Sequence, residues 1–126
     1  MKLALDANPK VNLFRSYSSG EVRVGEQLLR KNCIVTADAV LVDWTLASDV
    51  AALSLADLET IFKLEPDVVL LGTGDRQQFP RAELRGAFAS RRIALEPMDL
   101  GAACRTFNIL VQEDRRVLAA LLLNGA

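Results

Sequence analysis

The 126-residue sequence contains no histidine. That absence excludes Ser-His-Asp and Cys-His catalysis, imidazole ligation of a metal, and any histidine-based pH switch. Cysteine is scarce too: Cys33 and Cys104 lie far apart and outside any Cys-x-x-Cys pair. No zinc or redox motif is therefore written, and two small buried thiols in a reducing cytosol are expected. Aromatic residues make up 6% against 51% hydrophobic, so the core must be built mainly from Leu, Val, Ile and Ala. A basic excess is also missing, since 15 Lys and Arg oppose 16 Asp and Glu. Proteins that grip nucleic-acid phosphates carry such an excess, so a nucleic-acid partner is not expected. No apolar run approaches the roughly 18 residues of a membrane span, and no secretory leader is evident. The expectation is a soluble, cytoplasmic chain.

What is present suits one domain. Residues 1–10 read as a flexible arm and 11–126 as a single α/β domain. Val11 to Tyr17, the turn Ser18-Ser19-Gly20 and the alternating Glu21-Val22-Arg23-Val24-Gly25 predict an antiparallel β-hairpin. Further strands are expected at about Cys33–Thr36 and Val40–Leu46, the second placing Trp44 in the core. Ser54 followed three residues later by Asp57 predicts a capping box. It opens a helix whose Leu55, Leu58, Ile61 and Phe62 share one face, and Glu65-Pro66 ends it.

The C-terminal half alternates strand and helix. The apolar run Val68–Leu71 stops at Gly72-Thr73-Gly74-Asp75, and a helix is predicted from Pro80 to Arg91. Ile93–Met98 follows as a strand, Asp99 caps a helix over Leu100–Gln112, and Val117–Leu123 closes as a third strand. Short links in a β-α-β-α-β order imply parallel strands with right-handed crossovers. Loops leaving successive parallel strands emerge on one edge, so Thr73–Phe79 and Met98–Gly101 should line a common crevice. Two helix N-termini open there. Gly72 and Gly74 are expected to supply positive φ to the turn.

That edge does not read as a phosphate site. The third glycine position of a dinucleotide fingerprint holds Gln77, and no Gly-Lys-Ser/Thr is present. Asp75 and Asp99 already put carboxylates where an anion would sit. The candidate ligand- or partner-binding residues are Thr73, Gly74, Asp75, Arg76 and Gln77 in the first loop, with Asp99, Cys104, Arg105 and Asn108 on the second helix. Arg105, Asn108 and Gln112 recur at i, i+3 and i+7, giving either a solvated face or a strip for a partner. Cys104 has no imidazole to activate it, so no catalytic residue is assigned, and no metal or cofactor is expected.

The segments Leu71-Gly72-Thr73-Gly74-Asp75-Arg76-Gln77-Gln78-Phe79-Pro80 and Met98-Asp99-Leu100-Gly101-Ala102-Ala103-Cys104-Arg105-Thr106-Phe107-Asn108-Ile109-Leu110 carry a resemblance. Together they resemble a widespread family of uncharacterised single-domain bacterial and archaeal proteins, related to the mitochondrial assembly factor 3 of respiratory complex I. The likeness extends from about Asn12 to Leu123. It implies a three-layer α/β fold around a central mixed sheet, with no established enzymatic activity and a mitochondrial member that acts through protein partners at the inner membrane. The sequence departs from the family pattern at Leu100, where a hydroxyl residue is common, and at Phe107, where Tyr is usual. The expected function is a non-catalytic protein-interaction or assembly-factor-like domain with an unidentified protein partner, itself a monomer or weak homo-oligomer. The alternative is a small polar ligand held in the crevice.

Overall fold

The computed structural model describes residues 11–124, and the predicted arm over 1–10 lies outside them. The alternation noted around Val22 and Val24 gives strands β1 (Phe14–Ser18) and β2 (Glu21–Val24), paired antiparallel as expected. The hairpin is not the whole unit. Gly25, at φ 58°, lets the chain turn back within two residues, so β3 (Gln27–Leu29) joins to complete a three-stranded sheet.

The second sheet has five strands. It contains β4 (Cys33–Val35), β5 (Val40–Val42), β6 (Val68–Gly72), β7 (Ala94–Met98) and β8 (Val117–Leu121), in the order β5-β4-β8-β6-β7. Strand β6 pairs parallel with both β7 and β8, whereas β4 pairs antiparallel with β8 and with β5. The sheet is therefore mixed, with a parallel C-terminal part. Strand β5 stops at Val42, short of the predicted Leu46, because the chain there turns to serve Asn32 and the next helix. Trp44 thus lies outside any strand, half-buried, and its indole N–H donates to the Asp57 carbonyl at 2.8 Å.

Helices α1 (Leu55–Lys63), α2 (Ala82–Ser90) and α3 (Leu100–Leu110) cover this sheet. The capping box at α1 forms as predicted, with the Asp57 carboxylate accepting from the Ser54 N–H at 2.9 Å and from the Thr45 hydroxyl at 2.8 Å. From β6 the chain crosses to β7 on one side, then passes back over β6 to reach β8 on the other. Two crossovers of one hand that run in opposite directions put their helices on opposite faces. One core accordingly gathers Leu100, Ala103, Cys104 and Phe107 of α3 with Phe14, Val22 and Leu29 of the small sheet. The other gathers Leu58 and Ile61 of α1 with Leu84 and Phe88 of α2. Three layers result, with every residue of β6 and β8 buried.

The neighbouring strand explains Gly72. Its φ is not positive, contrary to the turn-geometry expectation; a Cβ there would meet the Leu121 side chain of β8 at 2.6 Å, with Ala103 and Leu100 of α3 at ordinary contact distance beyond. Phe107, wholly buried, meets Phe14 edge-to-face with ring centroids 5.1 Å apart. Such a pair adds about 0.5–1.5 kcal/mol beyond the burial of its area.

One polar side chain sits at the centre of the packing. Asn32 is fully buried, and its amide donates to the carbonyls of Thr45 (2.9 Å) and Ala47 (2.7 Å). Its oxygen accepts from the N–H groups of Leu123 (2.6 Å) and Asn124 (2.9 Å). All its hydrogen-bonding capacity is used, tying the start of β4, the end of β8 and the 44–47 loop together. Asn32→Ala would strand two donors and two acceptors in the interior. It should destabilise the fold by about 3–5 kcal/mol in urea unfolding, an exceptional loss for one residue.

Candidate functional site

Parallel pairing of β6 with β7 brings their outgoing loops to one edge, as the sequence predicts. The two loops are sewn together rather than parted. The Thr73 N–H donates to the Met98 carbonyl at 2.8 Å, and the Leu100 N–H donates to the Gly74 carbonyl at 2.7 Å. The Thr73 hydroxyl is within reach of the Arg76 (2.6 Å) and Met98 (3.0 Å) carbonyls and accepts from the Gln78 N–H at 3.0 Å. With one proton it donates to one of those carbonyls at a time, the nearer being Arg76. Gly74, at φ 93°, supplies the left-handed step that this tight turn needs.

An open cleft of about 210 Å³ does exist at this edge, displaced toward the β8 side. Thr73, Gly74, Asp75, Arg76 and Gln78 form one wall, facing Ser48, Asp49 and Leu122. Ser48, Asp49 and Leu122 were not among the sequence candidates. Asp49 carries a local signal, since it caps the short 3-10 helix Val50–Ala52 by accepting from the Ala52 N–H at 3.0 Å. Nothing in the sequence places Leu122 there, because it arrives with β8.

The candidates on the second loop and helix face elsewhere. Asp99 is the N-cap of α3, accepting from the Ala102 N–H at 2.9 Å. Asn108 grips β1 with both ends of its amide: it accepts from the Phe14 N–H at 2.8 Å and donates to the Phe14 carbonyl at 2.9 Å. It thereby stands in for the missing neighbour strand at the edge of β1. The Arg105 guanidinium donates to the Tyr17 hydroxyl, while Gly101 leaves room for the Tyr17 ring against α3. Asp75 reaches this sheet too, accepting from the Ser19 hydroxyl at 3.4 Å. The Arg105–Asn108 strip therefore lies under β1 and does not border the cleft.

Gln77 has a comparable task at β7. The Ala94 N–H points toward β6, where it donates to the Asp67 carbonyl. By alternation Leu95 and Pro97 direct their backbone groups outward. Proline offers no donor there, and the Gln77 side chain caps the Pro97 carbonyl at 2.8 Å. The free edge of β7 is blunted.

Cys104 and Cys33 are both wholly buried in the core shared by α3 and the small sheet. Burial pushes each thiol up to about 12. For Cys104 the neighbouring Cys33 adds to this, and Arg105 opposes it. A thiol so placed is the opposite of the low-pKa, accessible thiolate that nucleophilic chemistry requires. Among the described residues no group of three or more acidic or thiol side chains gathers as a metal site. No helix among them is long and apolar enough to cross a membrane. No buried side-chain nitrogen or oxygen among them lacks a hydrogen-bond partner.

Comparisons with known proteins agree with this architecture. An NMR structure of a Xanthomonas campestris protein matches with a TM-score of 0.83 at 34% identity, covering 99% of this chain and 94% of that one. The NADH dehydrogenase [ubiquinone] 1 alpha subcomplex assembly factor 3 of Danio rerio is 35% identical over 85% of this chain and 62% of its own length. The chain thus spans less than two thirds of that relative. A 13 kDa major membrane protein of Francisella tularensis is 28% identical over 86% of this chain and 89% of that one. Residues 14–122 match the model for a protein of unknown function, DUF498/DUF598. The chain is also similar to an uncharacterised protein of Rhodobacter capsulatus, 33% identical over 84% of this chain and 80% of that one, and it belongs to the DUF498/DUF598 family.

Proposed function

We propose that the domain is a non-catalytic protein-interaction module that helps another protein assemble. The observation that carries this reading is the sewn edge. Where an α/β sheet ordinarily opens a crevice for chemistry, Thr73, Gly74, Met98 and Leu100 bond to one another. Gln77, Asp99 and Asn108 are committed to backbone groups, and the thiols are buried. Connections leaving that edge also expose large apolar side chains: Leu46 is 87% exposed and Phe79 66%. Large exposed apolar side chains of this kind anchor protein partners. Kinship with proteins named as assembly factors supports the same reading. The two free buried cysteines suit a reducing compartment, and we place the interaction in the cytoplasm.

The test is capture at low salt of the tagged full chain from its native host. A stoichiometric partner should be recovered with the native chain and lost with Leu46→Glu/Phe79→Glu of unchanged melting temperature. Recovery of the chain alone would overturn the reading.

A second reading, a small polar ligand, is favoured by the cleft between Ser48, Asp49 and the Thr73–Gln78 loop. A ligand present at 100 times its dissociation constant should stabilise the fold by about 2.7 kcal/mol. A metabolite thermal-shift screen of the native chain and of Asp49→Ala/Arg76→Ala should then find a shift only in the native chain; no shift in either removes this reading.

The buried thiols give an independent check on the non-catalytic reading. Neither Cys33 nor Cys104 should react with iodoacetamide in the folded protein, and both should react in denaturant. Their folded values lie near 12, against 9.0 for ordinary thiols. The advantage of keeping them protonated is complete below pH 9 and is lost as the pH rises toward 12. A Cys33→Ala/Cys104→Ala variant should therefore lose stability less steeply than the native chain between pH 9 and 11.

A further inference from the structure

The opposite rim of the sheet, where β6 and β8 begin, carries a larger cleft that neither reading above uses. Its volume is about 400 Å³, within the range of small-molecule sites. Val11, Ala37, Leu64, Pro66 and Val117 supply apolar walls. Arg115 and Arg116, in the turn that leads into β8, line the same cleft. Neither arginine has an ion-pair partner among the described residues, where only Arg30, Lys31 and Arg81 are paired. The one carboxylate in the lining is Asp38, which accepts from the Thr36 hydroxyl at 3.2 Å. The lining therefore combines an apolar body with a net positive charge. Glu65, Asp67 and Asp114 stand on the same rim but outside the lining.

We infer that this cleft binds a small anionic amphiphile, a free medium-chain acyl carboxylate. The tail lies along Leu64, Pro66 and Val117, and the carboxylate meets Arg115 and Arg116. A guanidinium pair recognises a carboxylate through forked, charge-assisted hydrogen bonds, which a neutral head cannot reproduce. A concave cleft of this size suits a single tail better than a flat membrane leaflet.

Titration calorimetry of the full chain with decanoate, decanol and phosphatidylglycerol vesicles tests the inference. Decanoate should bind with one-to-one stoichiometry and decanol at least about tenfold more weakly. Arg115→Glu/Arg116→Glu should weaken decanoate by a similar factor, whereas the charge-matched Arg15→Glu/Arg23→Glu on the small sheet should not. Leu64→Asp, at a partly exposed position, should abolish binding with little change in melting temperature. No decanoate binding, or binding indifferent to both the arginine and Leu64 variants, overturns the proposal. Vesicle binding without decanoate binding overturns it in favour of a membrane surface. Arginine-dependent self-association without decanoate binding overturns it in favour of a second copy of the chain.

Discussion

Strands β6 and β8 bury every residue on both faces, and the rest of the molecule follows from that constraint. A sheet with apolar side chains above and below cannot leave either surface in water. Helices α1 and α2 seal one side. Helix α3 seals the other, and it in turn needs the small sheet as a cover, with Phe14 and Val22 closing over Phe107. Each fully buried Leu, Val or Phe contributes about 1.5–3 kcal/mol, so these contacts dominate the stability. The three ion pairs among the described residues all lie on the surface and add little.

Most of this architecture was legible in the chain. The Val68–Leu71 run and Asp99 ahead of α3 are local signals, and local chemistry settled them; Pro80, read as the first residue of α2, instead lies before its N-cap Arg81. Strand β3 was missed because Gln27-Leu28-Leu29 is too short to show periodicity; its only cue was the two-residue Gly25-Glu26 turn. Trp44 packs against the core as read but was placed in a strand because the pattern ran on past Val42, where the Thr45 carbonyl instead turns in to accept from Asn32. Asn32 itself gave no warning. Its importance lies in partners at Leu123 and Asn124, which only the fold brings near.

The candidate site was legible in part, and for a physical reason. Polar residues in loops look alike whether they face a ligand or another stretch of backbone. Thr73, Gln77, Asp99 and Asn108 satisfy backbone groups that would otherwise be left bare at turns, edges and helix ends. Asp75 and Arg76 remain exposed beside a cleft whose far wall, Ser48 and Asp49, comes from a distant part of the chain. Glycine was read correctly at Gly74 and incorrectly at Gly72, because space taken by the Leu121 side chain of β8 and turn strain ask for the same residue.

The two margins of the five-stranded sheet are unlike. At β7, Pro97 withholds a donor and Gln77 occupies an acceptor; at β5, no side chain among the described residues caps the outward groups of Val40 and Val42, and Val42 is 46% exposed. A strand offered from outside would therefore meet less obstruction along β5 than along β7.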